Sequence, residues 1–130
     1  MNFFDTNILI YALSGDDYRS DRAVESLSEG GIISAQVLSE FTNTVLKKMK
    51  RNWRDVEQAL KRLELVVIDV VPLTRQTHAS AVALARMHML EWFDALILAA
   101  ALDAGCERLI TEDFQSGRKF GKLKIENPFV

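Results

Sequence analysis

The most apolar stretch of the chain runs from Trp92 to Leu102 and is broken only by Asp94. A helix that is apolar almost all the way round belongs in a protein interior. An isolated ionised carboxylate there costs several kcal/mol or more, so Asp94 is expected to be paired, neutralised or bound to a metal. The nearest bases in sequence, Arg86, His88 and Arg108, all lie outside the run. The bland alternative is that Asp94 caps a helix beginning at Ala95.

Around this stretch the apolar pattern alternates between short extended runs and helical spacing. Asn2 to Phe4 reads as a strand, followed by a helical turn or two over Ile8 to Leu13 that Thr6 or Asn7 could cap. Ser14 to Asp17 is a loop. Ala23, Val24 and Leu27 recur at helical spacing over 18–28, and Gly30 and Gly31 end that helix. Ile32 and Ile33 form a buried strand, and Ser34 caps a long helix to about Arg51 with Val37, Leu38, Phe41, Val45 and Leu46 facing inward. A second helix covers roughly Arg54 to Leu63. Leu65 to Val71 is rich in β-branched residues and stopped by Pro72, so it reads as a strand. A helix over Thr74 to Met89 precedes the Asp94 helix, which Gly105 ends, and Glu107 to Thr111 is the next strand. Gln115 to Gly121 is polar and reads as a loop before a last strand over 122–125. Four or five strands separated by helices predict one α/β domain over residues 1–130, a three-layer α/β/α sandwich on a parallel sheet.

Composition narrows this picture. With 48% hydrophobic and 26% charged residues and two prolines, the chain is an ordinary globular domain rather than a disordered one. The first residues lack a basic segment followed by a long apolar run, so no signal peptide is expected, and Trp92–Leu102 is too short for a bilayer. A cytoplasmic protein with no membrane partner follows as the expectation. Cys106, the single cysteine, has no motif that supplies a base and reads as an inert thiol. Met87 and Met89 are expected to pack, Trp53 and Trp92 to anchor core or interface, and His78 and His88 to be surface or packing residues. Charge is laid out unevenly. Residues 1–46 hold seven acids and two bases and 63–117 eight and three, whereas 47–62 hold two acids and seven bases and 118–130 one and four. The basic segments suit a polyanion and the acidic ones a cation; Lys47, Lys48, Lys50 and Arg51 also suit a solvated helix C-terminus.

Sites in open parallel sheets form where strands end. Asp5 follows the first strand, Glu40 lies on the helix leaving the second, Asp113 lies just beyond the fourth, and the helix bearing Asp94 runs into that fourth strand. Four acids therefore reach one edge. Crowded carboxylates raise one another's pKa, and a divalent cation resolves the conflict. No cysteine joins the set and both histidines lie on another helix, so hard oxygen donors select Mg²⁺ or Mn²⁺ over zinc. Such an ion, which favours carboxylates together with phosphate oxygens, points to phosphodiester chemistry.

These residues resemble a known family. The runs Asp5-Thr6-Asn7-Ile8-Leu9-Ile10-Tyr11, Ser34-Ala35-Gln36-Val37-Leu38-Ser39-Glu40-Phe41, Trp92-Phe93-Asp94-Ala95-Leu96-Ile97 and Leu109-Ile110-Thr111-Glu112-Asp113-Phe114 are similar, in order and spacing, to the PIN-domain ribonucleases, and more narrowly to the VapC-type toxins of bacterial toxin–antitoxin pairs. The resemblance implies a parallel five-stranded sheet flanked by helices and a metal-dependent endoribonuclease that leaves 5′-phosphate and 3′-hydroxyl ends, forms a homodimer and is inhibited by a small VapB-like antitoxin. By motif position Asp5, Glu40, Asp94 and Asp113 form the catalytic quartet, with Asp5, Asp94 and Asp113 as metal ligands and Asn7 and Thr111 in support. Many relatives carry a further acid just before the last aromatic residue, whereas here Phe114 follows Asp113 directly, which leaves the part played by Glu112 open. Lys47, Lys48, Lys50, Arg51, Arg118 and Lys119 are candidates for contacts to the RNA backbone.

Two rival functions fit the residues less well. A haloacid-dehalogenase-type phosphatase needs a second Asp two residues after the first, where this chain has Asn7. A non-catalytic module that holds RNA or a partner would need no intact set of acids, and all four are present.

Overall fold

The computed structural model describes residues 1–15 and 17–130; Asp16, in the expected loop over 14–17, lies outside the described residues. The elements are β1 (Asn2–Phe4), α1 (Thr6–Ser14), α2 (Tyr18–Ser28), β2 (Gly31–Ser34), α3 (Ala35–Lys47), α4 (Trp53–Val66), β3 (Val67–Val71), α5 (Arg75–His88), α6 (Trp92–Asp103), β4 (Arg108–Ile110), β5 (Lys119–Phe120) and β6 (Leu123–Glu126). The sheet order is β3-β2-β1-β4-β6-β5. Its first five strands are parallel, as expected, and β5 adds a short antiparallel edge to β6. That sixth strand was hidden in a polar, glycine-containing stretch. Gly121, at φ 61°, turns the chain so that Phe120 pairs with Leu123.

The chain steps from β1 to β2 to β3 in one direction and then crosses back to β4 on the far side of β1. α1 to α4 pack on one another and α5 packs on α6; because parallel crossovers are right-handed as a rule, the reversal of direction after β3 assigns these two groups to opposite faces, giving three layers. The reversal at β1 opens a crevice at the carboxyl ends of β1 and β4, where such sheets bind ligands. β1 is wholly buried, with Phe3 and Phe4 packed in the main core beside Ile33, Leu109, Ile110 and Ile125. α6 is buried from Ala95 to Ala101, and its small side chains let α5 approach closely through Ala81, Ala95 and Ala99. Gly31 serves a close approach of a different kind: a Cβ there would stand 2.5 Å from the Asn2 carbonyl oxygen and 2.6 Å from the Phe4 ring.

Several boundaries move from those expected. α4 continues through Leu65 and Val66 on the strength of its amphipathic face and an Asn52–Asp55 capping box, so β3 begins only at Val67. α3 stops at Lys47 instead of Arg51, and Lys50 takes a left-handed φ of 53°. Met87 and Met89 do not pack; both are exposed, and so is Trp53. Trp92 is half-buried against the edge of His78, ring centroids 5.1 Å apart. Cys106 is buried, and burial pushes its thiol pKa up, which suits an inert thiol.

Candidate metal centre

Asp5 stands where β1 ends. Its N–H donates to the Ile110 carbonyl at 3.0 Å, which continues the β1–β4 pairing by one residue before the chain turns into α1. Asp5 itself is the N-cap of α1, a place expected for Thr6 or Asn7, and its Oδ1 accepts from the Thr6 N–H at 2.7 Å. Its Oδ2 accepts from the Thr111 hydroxyl at 2.7 Å. The same hydroxyl oxygen accepts from the Asp113 N–H at 3.0 Å, so one fully buried threonine holds two of the acids. Asn7 Nδ2 donates to Asp113 Oδ2 at 3.1 Å.

Asp94 is not in the sealed interior that the apolar run predicts, nor is it a helix cap. α6 begins at Trp92 with Glu91 as N-cap, and the Glu91 carboxylate accepts from the Asp94 N–H at 3.1 Å. Asp94 falls in the first turn, half-buried, with its carboxylate at the strand-end edge. One oxygen each from Asp5, Asp94 and Asp113 lie within 4.8 Å of one another. Glu40 stands beside this trio. Its Oε2 accepts from the Thr6 hydroxyl at 3.0 Å and its Oε1 from Gln36 Nε2 at 2.6 Å.

The electrostatics are those of a site short of positive charge. Burial pushes the Asp5 carboxyl up to about 7; the Thr111 and Thr6 hydrogen bonds hold it down, while the Asp113 and Glu40 charges push it higher. Burial, then the charges of Asp113, Glu91 and Glu40, pushes Asp94 up to about 6. Among the described residues, none of the quartet forms an ion pair with a Lys or Arg. Converging carboxylate oxygens without nitrogen or sulfur donors fit a hard divalent cation such as Mg²⁺ or Mn²⁺.

The structure distributes the remaining candidates unevenly. Lys48 lines the acidic groove together with Asp5, Asn7, Tyr11, Glu40 and Asp113. Lys47 ends α3, Lys50 follows it, and Arg51 lines a separate hollow with Asp55 and Arg62. Arg118 lies over the Phe120 ring at 4.5 Å and beside His88, and Lys119 is an exposed β5 residue. Glu112 reaches the groove wall but is not one of the three convergent acids, and the Tyr11 hydroxyl donates to its Oε1 at 3.0 Å. Arg19 Nη1 in turn donates to the Tyr11 oxygen at 3.1 Å. The link from Tyr11 to Glu112 spans about a hundred residues and leaves no local trace in the sequence, and the part Arg19 plays beside Tyr11 depends on that link; Gln36 carries a usable signal, since it precedes Glu40 by one helical turn.

Residues 3–120 match the family described as PIN domain. The chain belongs to the PIN-domain family. All four acids of this PIN domain, with Asn7 and Thr111, fall inside the matched span. Among solved structures it is similar to a toxin–antitoxin complex from Klebsiella pneumoniae, at 24% identity and TM-score 0.75 over 98% of each chain. It is also similar to VapBC-1 from nontypeable Haemophilus influenzae, at 19% identity and TM-score 0.73 over 99% of this chain and 98% of that one. A third is VapC20 of Mycobacterium tuberculosis, described as a sarcin-ricin loop cleaving toxin, at 20% identity and TM-score 0.68 over 84% and 87%. These likenesses show a shared fold, the one seen in VapC toxins. Curated protein sequences offer no match. Among the described residues no helix of this PIN domain is long and apolar enough to cross a membrane.

Proposed function

We propose that this PIN domain is a Mg²⁺- or Mn²⁺-dependent endoribonuclease and the toxin of a VapBC-type toxin–antitoxin pair. The observation that carries the reading is the convergence of Asp5, Asp94 and Asp113, three acids spread over more than a hundred residues, within 4.8 Å at the edge where β1 and β4 end. Asp5, Asp94 and Asp113 hold the cation. When bound, it supplies Lewis-acid chemistry, lowering the pKa of a water and offsetting charge on phosphodiester oxygens. Thr111 fixes Asp5 and the backbone of Asp113, Asn7 orients the Asp113 carboxylate, and Glu40 completes the negative wall of the groove. Lys48, at the groove itself, is the best placed of the basic candidates to meet an RNA phosphate. Lys47, Lys50, Arg118 and Lys119 serve as contacts farther along the backbone, and Arg51, in its separate hollow, contributes least. Hydrolysis leaves 5′-phosphate and 3′-hydroxyl ends.

The partner reading draws on the solved complexes. One similar structure, from Klebsiella pneumoniae, is described as a toxin–antitoxin complex, two carry the name VapBC, and FitAB was solved bound to a DNA fragment. An apolar groove between α1, α2 and α4, lined by Leu9, Leu13, Val24, Leu27, Leu63 and Val66, supports the docking of an apolar segment of a small VapB-like antitoxin. The active form is a homodimer.

The test is cleavage of end-labelled total RNA in Mg²⁺ or Mn²⁺, with excess chelator and an Asp94→Asn protein as controls. This substitution keeps the side-chain shape and the backbone N–H that Glu91 caps while removing the charge. Cleavage that both controls abolish supports the reading. RNA retained in Mg²⁺ but never shortened favours a non-catalytic binding module instead.

A further inference from the structure

We infer that Gln36 is a positioning residue of the metal centre, a brace that ties Glu40 to the first turn of α6 and thereby sets where Asp94 stands relative to Asp5. The inference rests on the metal-centre reading above. Gln36 and Glu40 are one turn apart on α3 and so share a face. Gln36 Nε2 donates one proton to Glu40 Oε1 at 2.6 Å and the other to the backbone carbonyl of Phe93 at 3.3 Å. Phe93 is the residue immediately before Asp94. The second Glu40 oxygen accepts from the hydroxyl of Thr6, the residue immediately after Asp5. A continuous path therefore joins two ligands: Asp5 to Thr6 by the chain, Thr6 to Glu40 and Glu40 to Gln36 by hydrogen bonds, Gln36 to Phe93 by a third, and Phe93 to Asp94 by the chain.

Among the described residues this is the one side-chain hydrogen bond that links the opening turn of α6 to another element; the Glu91 cap is internal to the turn. The residue type also fits the task. Both acceptors, a carboxylate and a carbonyl, need protons, so a glutamate at 36 would repel and a methionine would donate nothing. A lysine would donate but would bring a positive charge into a site that must attract a cation. A neutral amide gives two protons and no charge. The buried Gln36 Oε1 has no hydrogen-bond partner. An unpaired buried acceptor is costly, and it is tolerated here because the amide is held from its donor side. Side chains that orient metal ligands without touching the ion commonly change its affinity by about 10- to 100-fold when removed.

The experiment titrates the full chain with Mn²⁺ alone, by calorimetry or by loss of the free-ion paramagnetic resonance signal, and records the metal-free melting temperature of each protein. Gln36→Ala and Gln36→Met are compared with the parent. Met keeps the side-chain length and volume but not the protons, so it carries the test if the alanine variant is too unstable to titrate. Both variants are expected to bind Mn²⁺ about 10-fold more weakly, with Gln36→Met melting close to the parent. If the parent binds Mn²⁺ and Gln36→Met binds it within about twofold as well, Gln36 is a packing residue and the brace is refuted. If the parent binds no Mn²⁺, the metal-centre reading itself falls and the brace falls with it.

Discussion

Raising the pH of the metal-free protein is expected to destabilise it, and Asp5, whose carboxyl is pushed up further than that of Asp94, is the larger reason. Its carboxyl is 3% exposed and its pKa is pushed from 3.8 to about 7, chiefly by burial. The unfolded chain loses this proton near 3.8 and the folded one holds it to about 7, so within that window the native state binds more protons. The stabilisation that comes from keeping the group protonated is complete below 3.8 and is lost as pH rises to about 7. The slope is about 1.4 kcal/mol per pH unit, which over roughly three units removes about 4 kcal/mol. That is a large part of the roughly 5–15 kcal/mol typical of a domain. The assay is urea unfolding in excess chelator at half-unit steps from about pH 4 to 8, for the parent and for Asp5→Asn. Asparagine keeps an acceptor for the Thr6 N–H but must reverse the hydrogen bond with Thr111, so the slope is diagnostic and the offset is not. The parent curve is expected to fall across the window relative to the variant and to level off above about pH 7. Adding Mn²⁺ at about pH 7.5 to about 100 times its Kd is expected to return about 2.7 kcal/mol to the parent and little to the variant. Parallel curves for the two proteins between about pH 4 and 7 would refute the burial argument.

Thr111→Val removes the hydroxyl that donates to Asp5 and accepts from Asp113; it is expected to cost about 1–3 kcal/mol in urea unfolding at pH 7 and to move the parent's pH-dependent loss to higher pH, since the bond it deletes favours the charged form. Gly31→Ala forces a methyl onto the Asn2 carbonyl and the Phe4 ring and is expected to lower stability by about 1–3 kcal/mol, read as a lower urea midpoint without a change in slope. Glu112→Gln keeps an acceptor for Tyr11 outside the convergent trio, so Mn²⁺ affinity measured by titration is expected to stay within about twofold of the parent, against the ~10- to 100-fold loss typical when a group that orients metal ligands is removed. Lys48→Ala is expected to weaken RNA binding across sequences and to reduce the salt slope by about one, whereas Arg51→Ala, which lines a different hollow, is expected to leave both nearly unchanged.

Legibility in the sequence followed the range of the forces involved. Periodicity is a local signal, and it located every helix and the five parallel strands; the boundaries slipped where two local preferences competed, as at Leu65 and Val66, whose β-branched surroundings suggested a strand while the capped, amphipathic α4 carried the chain on as helix. β5 was illegible because a two-residue strand has no period, and it exists only because Gly121 turns it onto β6. The acids were legible as a set because strand ends in a parallel sheet share an edge. The burial of Asp94 was overstated, since a helix that is apolar all round says which helix is inside but not which of its ends emerges. What the sequence by itself determined was therefore the α/β class, the order of elements and the residue types available for a hard cation. Only the tertiary structure decided which oxygens face one another: that Thr111 holds Asp5 and Asp113 together, that Tyr11 keeps Glu112 apart from them, and that Gln36 reaches from α3 to α6. Those pairings depend on side-chain directions a few ångströms apart between segments up to about a hundred residues distant, and no local preference along the chain encodes them.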